Sequence, residues 1–308
     1  MVTIRQHVEQ YLAMRRALGF KLDTFGRRLL SFVSYLEARG QRVLTTEAAV
    51  AWAIDTPRNA SQAHWSERLM VIRIFARHLA ALDPATEIPA ADVLRIRRPR
   101  VAPHLFTPTQ ITALLDATDA LRPALRAATY RTLIGLLAVT GLRDGEACRL
   151  DRADVDLDDG MLTVRNTKFG KDRLVPLHDT TVDALRLYGQ LRDELCPAPK
   201  TPAFFVSTRG TRLTSDITKV FASVRDAAGI TAPAGQRRPR PHDLRHSFAV
   251  ATLLDWYREG VDVQARLPQL STYLGHVDPK STYWYLTGAP ELFALAANRI
   301  EHTFGGRQ

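Results

Sequence analysis

Five short strings between residues 140 and 285 hold the side chains of chemical interest: TGLRDGE (140–146), TKFGKDRLVPL (167–177), HDLRH (242–246), LGH (274–276) and STYWY (281–285). Arg143 and Arg245 are suited to hold phosphate oxygens, because a planar guanidinium offers paired donors and keeps its proton at any working pH. His242 and Arg245 lie three residues apart just after Pro241, which marks a helix start, so both side chains project from one face. His242 and His276 bring imidazoles, which change charge near neutrality and can hydrogen-bond oxygens or relay a proton. Which of the two does which is open at this level. Tyr285 supplies a phenol nucleophile. At pH 7 only ~0.1% of an ordinary phenol is ionised, a deficit of roughly 4 kcal/mol that a base or a positive potential must offset. Such a set can open a phosphodiester, whose pentacovalent state gathers charge on the non-bridging oxygens. Tyr283, two residues earlier on the same helix, faces elsewhere; Tyr283 and Trp284 read as packing, and His246 as a packed histidine.

In this order and spacing the strings resemble the tyrosine recombinases, the phage-integrase family: an Arg, a Lys on a β-hairpin, His-x-x-Arg, Leu-Gly-His, and a Tyr nine residues past that last His. Here 285 − 276 = 9. The resemblance extends over nearly the whole chain. It implies a catalytic set of Arg143, Lys168, His242, Arg245, His276 and Tyr285, with Lys168 protonating the departing 5′ oxygen and Lys171 as the alternative. Glu146 matches the family's acidic position and reads as structural, orienting an arginine or capping a turn. Lys171, Arg173, Arg97, Arg98 and Arg100 are the expected DNA contacts. The implied reaction is attack of Tyr285 on a scissile phosphate, leaving a 3′-phosphotyrosyl link and a free 5′ hydroxyl, with no cofactor and no metal. The implied partners are double-stranded DNA recombination sites and further protomers, four on two duplexes, or partner recombinases; no membrane is involved. Two features depart from the pattern: Thr167 stands where the family often has glycine, and the segment between 260 and 274 is longer than usual. The second is similar to a subgroup encoded by transposons and other mobile elements. A type IB topoisomerase-like enzyme and a DNA-binding accessory recombinase without cleavage are the rival readings.

The elements that must position these residues follow from periodicity and turn chemistry. Residues 2–82 read as four helices. Leu29, Val33 and Leu36 recur at helical spacing within 23–39, with Gly40 as the expected cap, and Trp65, Leu69, Ile72 and Ala76 do so within 60–81, leaving Arg68, Arg73 and Arg77 on other faces. This gives a helical N-terminal DNA-binding domain at 1–94. The proline-punctuated run RIRRPR (95–100) opens a basic linker at 95–107, read as a strap along a phosphate backbone. Thr107-Pro108 caps the first helix of a domain at 108–289, with helices through Leu115 and Leu125 to Val139. Segments 155–157, 161–164, 168–171 and 174–177 then read as a short antiparallel sheet, with Lys168 on or beside a hairpin loop. Helices follow at 180–195, 214–228 and 242–257, with a last one within 290–302; the tail 290–308 is a candidate for exchange between protomers. The fold class is mainly α with a small antiparallel β-sheet (α+β), and the resemblance implies two domains closing as a clamp on DNA.

Composition is consistent with this. The 308 residues carry 42 Lys+Arg against 32 Asp+Glu, a charge of +10. Of these, 16 bases and 9 acids fall in residues 1–100, a local 16 − 9 = +7, which places much of the excess on the helical domain. A basic surface attracts phosphate through counterion release, so nucleic acid is the partner class favoured. With 45% hydrophobic and 24% charged residues, disorder, a collagen and a disulfide scaffold are excluded as classes. The longest apolar run, at 132–142, falls short of the roughly 20 residues of a membrane helix, and MVTIRQHVEQ is no signal peptide, so a cytoplasmic, nucleoid-associated protein is expected. Cys148 and Cys196 lack metal-ligand spacing and read as small buried thiols.

Overall fold

Thr3, Thr45 and Ser61 each turn a side-chain oxygen toward the main-chain N–H three residues on, satisfying a donor that the first turn of a helix leaves open. They start α1 (Ile4–Ala17), α3 (Thr46–Ile54) and α4 (Gln62–Leu79), whereas α2 (Asp23–Glu37) begins without a side-chain cap. In this computed structural model the described residues are 2–57, 60–96, 102–165, 172–213, 217–232, 236–276, 278 and 280–288, the side chains of 284 and 286–288 excepted. The chain divides into two units, Met1–Arg100 and Val101–Gln308, so the division falls inside the basic stretch.

The first unit is built from these four helices. Leu29, Phe32, Val33 and Leu36 of α2 are buried with Trp52 of α3 and Leu69, Ile72, Phe75 and Ala76 of α4. Trp65, expected on that face, is half-buried at its edge and donates its indole N–H to Thr56. Arg68 and Arg73 are not simply outward. Arg68 lies 3.9 Å over the Trp52 ring and donates to the Trp52 carbonyl, and Arg73 donates to the carbonyls of Pro89, Ala90 and Val93. Their aliphatic stems cover apolar surface while the guanidiniums satisfy backbone acceptors. Arg77 is exposed as expected.

In the second unit Thr107 and Gln110 form a reciprocal capping box with Pro108 in the first turn of α5 (Pro108–Ala117). Next come α6 (Ala124–Thr140), α7 (Asp144–Arg149), β1 (Val155–Asp156), β2 (Met161–Val164), β3 (Arg173–Pro176), α8 (Asp179–Leu195), α9 (Ile217–Ala227), α10 (Pro241–Arg258), α11 (Val263–Leu274) and α12 (Lys280–Gly288). The core helix α6 packs on α5, α8 and α10. The sheet is antiparallel in the order β1-β2-β3, with Leu162 opposite Val175 and Val164 opposite Arg173. Leu162, Val164 and Val175 point into the core while Leu174 faces out, the two-residue alternation of a half-buried sheet. The segment 260–274, read only as a lengthened link, contains α11, which Asp262 caps; the proline at 268, inside that helix, is what hid it from a propensity reading. The tail 290–308, with its expected helix, lies outside the described residues. Among the described residues no helix is long and apolar enough to cross a membrane.

Candidate active site

The site is assembled where three helix termini meet. Helix α6 ends at Gly141, whose φ is +60°; a Cβ there would lie 2.6 Å from Cδ1 of Phe248, so both backbone and space require glycine. The Gly141 carbonyl accepts from Nη1 of Arg245 at 2.7 Å, and the Leu274 carbonyl at the end of α11 accepts from Nη2 at 2.6 Å. Arg245, in the second turn of α10 and only 1% exposed, thereby joins the ends of α6 and α11. Burial and then the charge of Arg143 push its guanidinium down to about 10, still protonated at neutral pH. Arg143 caps α7, donating from its main-chain N–H and from Nη1 to Glu146 (3.1 and 2.6 Å) and from Nη2 to the Gly275 carbonyl (3.0 Å). The two guanidiniums therefore grip adjacent carbonyls, 274 and 275. Arg143 keeps 33% of its side chain exposed.

Glu146 is the buried anion beneath this pair. Both its oxygens also accept from Arg173, Oε2 from Nη2 at 2.7 Å and Oε1 from Nη1 at 3.2 Å. Burial pushes its carboxyl up, but the hydrogen bond and charge of Arg173, then those of Arg143, outweigh that and bring it down to about 2.

Three imidazoles and a phenol complete the cluster. His276 follows Gly275, the left-handed cap of α11, and its Nδ1 lies 2.7 Å from the Thr282 hydroxyl of α12. The His276 ring stacks on that of Tyr285 with centroids 6.0 Å apart; the His246 ring meets Tyr285 edge-on at 5.4 Å and His242 at 4.8 Å. Burial, reinforced by neighbouring positive charges, lowers all three imidazoles: His276 to about 4, His246 to about 3, and His242 in the same direction. Tyr285 is 2% exposed, and burial pushes its phenol above the ordinary value even though the charge and hydrogen bond of Arg245, then the charge of Arg143, pull it down. The positive potential expected to ionise the tyrosine is present, but desolvation outweighs it.

The structure thus brings Glu146 of α7, His242 and Arg245 of α10 and Tyr285 of α12 together with Arg143 and His276 from the turns that follow α6 and α11. Lys168 and Lys171 lie outside the described residues, as do Arg97, Arg98 and Arg100. Arg173 does not fit the DNA-contact expectation: its side chain is 10% exposed, with Nε donating to the Tyr273 carbonyl and both terminal nitrogens on Glu146. Strand alternation held the signal, since residue 173 shares a face with buried Val175. Tyr283 is 51% exposed and so does not pack, though it does face away from Tyr285 as expected. His246, read as merely packed, contacts the Tyr285 ring directly, and Thr282 is a partner that no motif singled out. Cys148 is a buried thiol, pushed up to about 11 by burial, while Cys196 is half-buried; neither is in a disulfide.

Fold and site together define a protein whose paired guanidiniums and imidazoles surround a buried phenol, a setting for tyrosine chemistry on an oxyanion. The sequence profile of the phage integrase family matches residues 104–291. The chain is 45% identical, over 100% of both sequences, to y4rB of Sinorhizobium fredii, described as an integrase/recombinase. It is 31% identical to the tyrosine recombinase XerD of Ralstonia nicotianae, covering 88% of this chain and 84% of that protein. Among solved structures, the Tn1549 transposon integrase in complex with a circular intermediate DNA superposes with a TM-score of 0.68 at 17% identity, covering 98% of this chain and 100% of that one. The XerH site-specific recombinase bound to its palindromic difH substrate gives 0.64 at 19% identity over 90% and 78%. The chain belongs to the phage integrase family, the tyrosine recombinases, and is an enzyme of site-specific DNA strand cleavage and rejoining.

Proposed function

We propose that this recombinase cuts DNA through Tyr285. The Tyr285 oxygen attacks the scissile phosphorus as the bond to the 5′ oxygen breaks; the phenolic proton passes to a base and the leaving oxygen takes a proton from an acid. The product is a 3′-phosphotyrosyl link, and the 5′ hydroxyl of another strand reverses the step with no net change in bond energy. The observation that carries this reading is that Arg245 and Arg143 donate to the adjacent carbonyls of Leu274 and Gly275, directly before His276, whose ring stacks on Tyr285. In this reading both guanidiniums turn donors toward the non-bridging oxygens of an entering phosphate. An incoming anion offsets the positive potential that, with burial, holds the imidazoles neutral. His276 and His246 are unprotonated at pH 7 and able to accept the Tyr285 proton. Lys168 is proposed as the acid for the 5′ oxygen on the family resemblance alone.

The proposed partners are double-stranded DNA recombination sites and further copies of the chain. A dimer and a tetramer are the forms in which lambda integrase, 21–22% identical, is seen on a core site and a Holliday junction. Work on a mobile element is proposed from the lengthened 260–274 segment, which resembles that of the subgroup encoded by transposons and other mobile elements. The test is a nicked duplex carrying a site selected from random-sequence DNA by binding to the protein. A covalent adduct on denaturing gels, lost in Tyr285→Phe and kept in Tyr283→Phe, is expected; an adduct that survives Tyr285→Phe overturns the assignment. Joint molecules rather than site-independent relaxation of a supercoiled plasmid are the expected products.

A further inference from the structure

Arg173 opens β3 opposite Val164, on the side of the strand that faces the core. Each of its three nitrogens donates a hydrogen bond, to two other elements in all. Nη1 and Nη2 bind the two oxygens of Glu146 on α7, and Nε binds the Tyr273 carbonyl in the last turn of α11 at 2.9 Å. The same Glu146 oxygens hold the main chain and Nη1 of Arg143. The guanidinium also lies against Gly275: a Cβ there would be 2.8 Å from Nη1 of Arg173, and the φ of Gly275 is +67°. The Gly275 carbonyl is in turn the one that Arg143 grips, and His276 is the next residue.

We propose that Arg173 is a positioning residue for strand cleavage, setting the orientation of Arg143 through Glu146 and the height of the His276 turn through Tyr273 and Gly275. The proposal rests on the cleavage reading above. It assigns to the strand after the hairpin a part that no contact with DNA requires. The geometry needs a rigid planar fork, because the bonds leave Arg173 in two directions to elements far apart in the chain; a lysine ammonium on the same stem is a single point charge and cannot serve both. A misplacement of about 1 Å in a group that clamps the reacting phosphate costs about 100-fold in rate.

The test measures single-turnover cleavage of the nicked duplex at saturating protein, alongside the affinity for the same duplex by fluorescence anisotropy. We expect Arg173→Gln to cleave 10- to 100-fold more slowly, of the order found for partners that orient a ligand, with affinity within about threefold of wild type. Arg173→Lys, which preserves charge and stem and carries the test alone should the glutamine variant not fold, should cleave at least about 10-fold more slowly. Added to Arg143→Ala, Arg173→Gln should cost clearly less than it does alone, because the part of its effect that runs through Arg143 is already gone and only the part through the His276 turn is left. Wild-type cleavage by Arg173→Lys, a loss of affinity as large as the loss of rate, or full multiplication with Arg143→Ala each overturns the proposal. Absence of any adduct with the wild-type chain would sink the cleavage reading instead, a distinct outcome.

Discussion

Replacing Glu146 by Gln removes one negative charge from beneath two guanidiniums while changing the side-chain volume hardly at all. The carboxyl is buried and titrates at about 2, against an ordinary value of 4.5. That difference corresponds to about 3 kcal/mol of stability at neutral pH. Because the folded value is the lower one, the contribution is complete above pH 4.5 and is lost as pH falls toward 2. The variant should lose about 3 kcal/mol at pH 7, or about 6–12 °C of melting temperature for a unit of this size, since Arg143 and Arg173 are left with a neutral acceptor between them. Urea unfolding of both chains, followed by far-ultraviolet circular dichroism at pH 7, 4 and 3, gives the gap between them. It should narrow on acidification, to about half its neutral value near pH 3. A gap that stays constant across that range, or a variant as stable as wild type at pH 7, refutes the assignment of Glu146 as the ionised keystone of the site.

Gly275→Ala should destabilise the chain by about 1–3 kcal/mol through its left-handed backbone and also slow adduct formation, because the new methyl meets the Arg173 guanidinium. Gly229→Ala, at a φ of +69° with open space around it, should show only the backbone cost; equal effects of the two on cleavage would contradict the role given to the 275 turn. Titration of the free protein by histidine NMR should find His246 and His276 neutral down to about pH 5, since burial and positive neighbours place them at about 3 and about 4. A charged imidazole at pH 6.5 on either would show that the cluster is wetter than the structure has it. In a salt titration, affinity for a long duplex should fall steeply with ionic strength, and an insensitive affinity would remove the phosphate clamp.

Much of this was legible from residue types. The cap Thr107, with Pro108 behind it, marks a helix start by a local hydrogen bond, and alternation across 161–164 marks a strand, because both depend only on neighbours in sequence. The residue types of Arg143, His242, Arg245, His276 and Tyr285 pointed to phosphodiester chemistry, and their order and spacing carried the family resemblance. Helix α11 was missed because Pro268 argues against a helix locally, while burial of Val263, Leu267 and Leu270 holds one in place. The fate of Arg173 could not be settled by type: an arginine after a basic hairpin suits a phosphate as well as it suits a carboxylate, and the choice was made by Glu146, 27 residues away. Sequence thus determined which groups are available and how a capped helix such as α5 begins. Tertiary packing alone decided that carbonyls 141, 274 and 275 would bring two guanidiniums together, and that Tyr285 would be dry enough for desolvation to outweigh them. The reason is that burial and Coulomb forces depend on distance through space, which spacing along the chain does not fix.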